Sequence, residues 1–283
     1  MAKAKATGSS WDGKHRMIEN HAHPQRMGDD YSFARRPSAY VKAMRREGID
    51  AVVLLGPGEV CQKAARKFGD FVAPVPMYHL RDLARRDLRD EIEYWLDHGC
   101  KGIKFISPLH PYGDERYWPL YQTVADHDAV AIFHTGYLGI FSREPQIPPI
   151  SIDHMRAAHV DTIARRFPTL KLLMAHYGNP LWEEAWKVCL STPNIYADMS
   201  GGTAFMRDLT MWQQTFAPNG QLMEGALAKL CFGTDTQYLH DGPHGFTPYI
   251  DFYQKLLDRI NAPEKLRRLV WSGNTRKLFG IKG

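Results

Sequence analysis

A (β/α)8 barrel of the TIM type is the fold this sequence predicts, on three observations. Eight short, mostly apolar runs alternate along the whole chain with amphipathic stretches of helical length. The chain has 283 residues, a size at which such a barrel runs as one domain. No Gly-rich phosphate fingerprint follows the first run, which removes the usual nucleotide-binding reason for the alternative, an open doubly wound sheet.

The predicted strands are Met17–His21, Ala51–Leu55, Phe71–Val75, Gly102–Phe105, Ala129–His134, Leu170–His176, Ile195–Asp198 and Lys229–Phe232. They are rich in Val, Ile, Leu and Phe without strict alternation, as expected of parallel strands covered on both faces. Between them, Ser38–Gly48 opens on an N-cap serine and stops at glycine, and Asp87–Gly99 runs from an aspartate cap to a C-terminal glycine. Asp114–His127, Asp153–Phe167 and Leu181–Ser191 read as further helices, with Pro168, Pro193 and Pro263 at breaks or helix starts. Residues 1–16 read as a flexible polar tail and 17–283 as the single barrel domain. Two irregular connections, Thr135–Ser151 and Thr236–Thr247, leave the C-terminal ends of strands, where barrel active sites are built.

Composition excludes several classes. Hydrophobic residues make up 44% and charged residues 24%, ordinary for a globular chain. There is no apolar run near the ~20 residues of a membrane span and no apolar stretch behind the N-terminal lysines, so neither membrane insertion nor secretion is expected. Cys61, Cys100, Cys189 and Cys231 lie far apart without a CxxC pair, which fits a reducing cytoplasm. The net charge is +5, but acids sit beside the basic clusters at helical spacing, so solvated helix faces are expected and not a nucleic-acid track. A small-molecule substrate is the expected partner.

The chemistry is carried by residues that end apolar runs. His21 and His23, two apart on the first strand, point to one face and together suit a metal such as zinc. Alone, an HxH pair is weak, since surface histidines explain most. Yet His134 ends the fifth run, His176 the sixth, and Asp235 lies just past the eighth. At one barrel rim these residues could close a metal shell and leave a place for water. His110, His240 and His244 fall on loops over the rim as candidates for substrate contact. Asp198 could bind substrate or cap a turn; Tyr137, Phe141 and Tyr238 could line a pocket. Trp182 and Trp186, at i and i+4, read as core.

The segments IENHAH, GCKGIKF, AIFHTG, LKLLMAHYGNP, PNIYADMSGG, CFGTD and WSGNTRKLFGI, spread from residue 17 to 281, resemble the amidohydrolase superfamily. The likeness is to its amidohydrolase-related branch, which includes metal-dependent hydrolases and aminocarboxymuconate-semialdehyde-type decarboxylases. It implies His21, His23, His134 and Asp235 as ligands of one divalent cation, zinc or alternatively manganese. His176 then activates or polarises water or moves a substrate proton, with Asp235 as the other catalytic group. Where the family often has Asp two residues before the first histidine, this chain has Glu19. Lys104 stands where binuclear relatives carry a carboxylated lysine, and in that version His134 and His176 would hold a second metal; the single-metal reading is preferred, with Lys104 against a substrate anion or packed structurally. Asn274 matches a structural signature. The resemblance implies hydrolysis of an amide, lactone or ester, with decarboxylation of an aromatic or muconate-like acid as the rival, and Lys104 or Arg143 as the cation that reaction needs. A TatD-type phosphodiesterase would have a glutamate after the fourth strand, where this chain has Lys104-Phe105-Ile106. A non-catalytic binding barrel remains the other alternative. Relatives in the branch are often homo-oligomers, and the same is expected here.

Overall fold

A computed structural model of the chain describes residues 13–282 except 28, 29, 33, 35, 85, 86, 139–148 and 238–244. Eight parallel strands form the barrel: β1 (Met17–His23), β2 (Ile49–Gly56), β3 (Val72–His79), β4 (Gly102–Ile106), β5 (Val130–His134), β6 (Lys171–Ala175), β7 (Ile195–Asp198) and β8 (Leu230–Cys231). Each of the eight predicted strands is present. The sixth stops at Ala175, one residue before its expected end, because His176 turns into the left-handed region at φ 67°.

Alternation explains how parallel, apolar strands serve two cores. Val53 and Leu55 of β2, Val130 and Ile132 of β5, and Leu173 and Ala175 of β6 fill the barrel interior, with Leu278 and Phe279 packed against them. Their neighbours in sequence, such as Val52, Leu54, Ala131 and Phe133, face outward onto the helices. The helices include α1 (Pro37–Arg46), α2 (Gly58–Phe68), α3 (Arg89–Asp97), α4 (Trp118–Asp126), α5 (Ala157–Arg166), α6 (Trp182–Ser191), α7 (Leu209–Phe216) and, after a shorter turn of helix, α8 (Thr247–Arg259). α2, α7 and α8 were not predicted. α2 starts behind Pro57 with no side-chain cap, so its N-terminal signal is absent from the sequence. Gln25–Met27 and Asp30–Ser32 add a short antiparallel hairpin after β1.

The ring closes in two steps. Leu230 and Cys231 pair with β7, and after residues 232–235 the chain rejoins the sheet where Thr236 and Gln237 pair with Ala22 and His23 of β1. In between, the Asn20 amide donates to the Phe232 carbonyl at 3.1 Å and the Asp235 amide to the His21 carbonyl at 2.8 Å. Of the expected tail, residues 1–12 lie outside the described residues, and the His15 ring is buried 3.2 Å from Glu264. Among the described residues no helix is long and apolar enough to cross a membrane.

Candidate metal and catalytic centre

The C-terminal ends of β1, β4, β5 and β6 and the segment after β8 bring the predicted residues to one mouth. His21 Nε2 lies 3.3 Å and His23 Nε2 3.0 Å from Asp235 Oδ1. Adjacent ligands of a tetrahedral cation with bonds of 2.0–2.1 Å stand ~3.3 Å apart, so each of the two histidines stands from Asp235 at the distance of a neighbouring ligand. His21, His176 and Asp235 also form a group whose ligand atoms lie within 4.8 Å of one another. The residues therefore fit a divalent cation.

His134 is joined to the cluster through His176: His134 Nδ1 is 3.0 Å from His176 Nε2, and its Nε2 is 3.0 Å from the Tyr137 carbonyl. Lys104, buried on β4, brings Nζ to 2.6 Å from His21 Nε2 and 3.4 Å from His23 Nε2. Its amine faces the same lone pair of His21 that a cation would use. Burial lowers the Lys104 pKa to about 8, against Asp235 and Asp198, which raise it.

Behind the imidazoles lies a buried polar layer that sequence reasoning did not find as such. Asp198 Oδ2 stands 3.1 Å from His21 Nδ1, and its Oδ1 accepts from the amides of His176 (3.1 Å) and Ser200 (3.0 Å). The Ser200 hydroxyl donates to Asp198 Oδ1 at 2.5 Å and touches Nδ1 of both His176 (3.0 Å) and His21 (3.2 Å). Such contacts fix which ring nitrogen each histidine turns to the site. His23 is set by its own backbone contact, Nδ1 to the Leu55 carbonyl at 2.7 Å. Gly201 completes the packing: at φ +67°, a Cβ there would stand 2.7 Å from His176 Nδ1 and 2.9 Å from Asp235 Oδ2.

Burial dominates the electrostatics. It lowers His21 to about 4, aided by the Lys104 charge and opposed by Asp198 and Asp235, and it lowers His176 to about 4 against the pull of Asp235. His134 falls well below its ordinary value through burial and then His176. These rings are neutral at pH 7 and offer lone pairs. Burial alone would raise Asp198 and Asp235, but His21, His176 and the Ser200 hydroxyl around the first, and His21, His23 and His176 around the second, together outweigh it, so both stay ionised.

Glu19 behaves oppositely. Its Oε1 accepts from the amides of His21 (2.8 Å) and Thr234 (2.9 Å), and burial nevertheless pushes its carboxyl up to about 8. The native state thus keeps a proton that the unfolded chain releases near the ordinary 4.5. The stabilisation this proton carries is complete below that value and is lost as pH rises through about 8. Glu19→Gln should flatten the loss, so that its urea midpoint drops less than that of the unaltered protein between pH about 5 and about 9. Equal drops would assign the dependence to another group.

The cluster opens into a cavity of about 790 Å³, with His23, Lys104, His134, His176 and Asp235 on its wall. His79, at the end of β3, and Trp95 also line it, neither of them expected from the sequence. His110 is exposed and is not among the lining residues; its amide lies 3.1 Å from the Tyr117 hydroxyl. Asp198 is fully buried and touches His21 instead of the cavity. Tyr137 is exposed, and Trp182 and Trp186 pack against the core. Tyr238, His240, His244, Phe141 and Arg143 lie outside the described residues.

Comparison with known proteins agrees with the architecture. No curated protein matches the chain. Among solved structures, it is similar to 5-carboxyvanillate decarboxylase from Sphingomonas paucimobilis, with 12% identity over 94% of this chain and 99% of that one and a TM-score of 0.64. A probable 2-pyrone-4,6-dicarboxylic acid hydrolase from Acinetobacter baumannii, with citric acid bound, has 13% identity over 94% and 99% and a TM-score of 0.60. A dihydroxybenzoic acid decarboxylase from a Polaromonas species, with bound manganese and 2-nitroresorcinol, has 15% identity over 94% and 97% and a TM-score of 0.58. At these identities they speak for the barrel. The sequence pattern of the amidohydrolase family matches residues 21–281, a span that holds every residue of the cluster from His21 to Asp235, and the chain belongs to that family.

Proposed function

We propose that this protein is a metal-dependent hydrolase that adds water to an amide, lactone or ester of a small substrate. The observation that carries the reading is the convergence of His21, His176 and Asp235, with ligand atoms within 4.8 Å of one another and His23 3.0 Å from the same carboxylate, beside an open cavity. His21, His23, Asp235 and His134 would hold one divalent cation, zinc or manganese. When bound, that cation polarises the substrate carbonyl and brings water toward ionisation at neutral pH.

The remaining work belongs to the chain. Asp235, ionised and facing the histidines, takes the water proton and delivers it to the leaving group. His176, neutral and held at Nδ1 by Ser200, keeps an Nε2 lone pair that can take up and return a proton of water or substrate. Lys104 favours a second reading. An amine on the same wall can sit against a substrate carboxylate, as decarboxylation of an aromatic or muconate-like acid requires, and decarboxylases are among the similar structures.

The test is a panel of lactones, esters and amides beside hydroxybenzoates and muconate-like acids, with hydrolysis and CO2 release followed separately. Hydrolysis that is lost on chelation and restored by Zn2+ or Mn2+ is expected. CO2 release without hydrolysis would transfer the reading to a decarboxylase, and full turnover after chelation would remove the cation from it.

A further inference from the structure

His79 is buried over most of its surface at the mouth, apart from the cluster around Asp235. The register of β3 against β4 pairs Met77 with Lys104 and His79 with Ile106, and all four line the cavity. His79 therefore points inward on the same face as Lys104, one pleat nearer the rim. Its Nδ1 lies 3.1 Å from the hydroxyl of Ser107. Its Nε2 has no protein partner among the described residues.

Ser107 is unusual in its own right. It is almost fully buried, and it adopts φ +56°, a left-handed conformation rare for a residue with a side chain. The Arg81 amide, donating to the Ser107 carbonyl at 3.0 Å, ties that turn to the segment just after His79. Among the described residues the Ser107 hydroxyl has no other hydrogen-bond partner than His79 Nδ1. A buried hydroxyl proton left without an acceptor is costly, so the hydroxyl donates to Nδ1. That places the proton of the neutral imidazole on Nε2. The ring is neutral because burial, and then Arg81, lowers its pKa below the ordinary histidine value. A strained, buried serine that sets the tautomer of a cavity-lining histidine is a built feature and not a chance surface contact.

We infer that His79 is a substrate-binding residue: its Nε2–H, aimed by Ser107, donates to an oxygen of the substrate distant from the reacting bond. The group recognised is a carbonyl or a single carboxylate. The carboxylates of Glu59, Asp82 and Glu91 also line the cavity and disfavour a multiply charged anion. The inference deepens the hydrolase reading and rests on it for the word substrate, but the hydrogen bond can be tested without turnover.

Benzamide, benzoate and benzamidinium have one shape and differ in what they offer Nε2–H: a neutral oxygen, an anionic oxygen, and no acceptor. Binding of each is measured by calorimetry on the full chain after chelation, for the unaltered protein and for His79→Ala, His79→Gln and Ser107→Ala. Nitrogen-15 NMR of the His79 ring is recorded in parallel. Expected are an Nε2–H tautomer, about tenfold or greater weakening of benzamide and benzoate in His79→Ala, and little change for benzamidinium. His79→Gln, which keeps a donor, should recover most of the loss. Ser107→Ala should weaken the same two probes and let the proton exchange between the two nitrogens. An unprotonated Nε2, an equal loss for all three probes in His79→Ala, or no binding of either oxygen-bearing probe would overturn the inference. Failure of the hydrolase reading looks different: no cation-dependent turnover, with the NMR and binding results intact.

Discussion

Asp235→Asn is expected to lower kcat/KM on any substrate found in the panel by about 10²–10⁴-fold while leaving the fold in place. The amide has the carboxylate's shape, so the turn at φ 62° and the hydrogen bond that the backbone N–H of residue 235 donates to the His21 carbonyl can persist. What disappears is the ionised oxygen between His21 and His23, and with it both a cation donor and the proton acceptor. Two measurements separate those losses. Metal content per chain reports the donor, and kcat/KM at saturating Zn2+ or Mn2+ near pH 7 reports the acceptor: it should stay low in the variant even when the cation is loaded. Retention of wild-type kcat/KM would show that the reaction does not use this carboxylate.

Asp198→Ala should act on a second quantity, stability, with an effect of about 3–5 kcal/mol. Asp198 has no solvent exposure and serves four groups: the His21 ring, the amides of His176 and Ser200, and the Ser200 hydroxyl. Removing it leaves buried donors without an acceptor, the costly half of a hydrogen-bond deletion. Urea denaturation reads the stability. Competition with a chelator reads a further consequence, a 10–100-fold weaker hold on the cation once His21 and His176 lose the contacts that set their tautomers. Asp198→Asn, which keeps acceptor capacity in one oxygen, should fall between the two proteins. An alanine variant as stable as the parent would mean that the layer behind the histidines carries no load.

Much of the architecture was readable because a barrel writes itself locally. Val52 to Leu55 or Ala131 to His134 are short, apolar and bounded, and the parallel sheet buries both of their faces. The same grammar exposed His21, His23, His134, His176 and Asp235, polar residues that interrupt apolar runs where strands end. Asp198 and Ser200 were visible as residues but not as a layer, since their role depends on contacts across β1, β6 and β7, which no local spacing encodes. His79 was missed for a related reason. In the run Val72–His79 two prolines mask the strand, and the expected strand stopped at Val75, four residues short of the histidine. That the Lys104 amine reaches the imidazole of His21 follows only from the inward face it shares with β1.

The two-step closure of the ring has a mechanical consequence. The short span between Cys231 and Thr236 is at once the clasp of the cylinder and the arm that carries its catalytic carboxylate. If the clasp gives way first, by heat or by a cut in that span, Asp235 leaves the imidazoles while the helical shell is still packed. Inactivation on warming should therefore run ahead of the collapse of far-ultraviolet circular dichroism, as a door unlatches before its frame gives way.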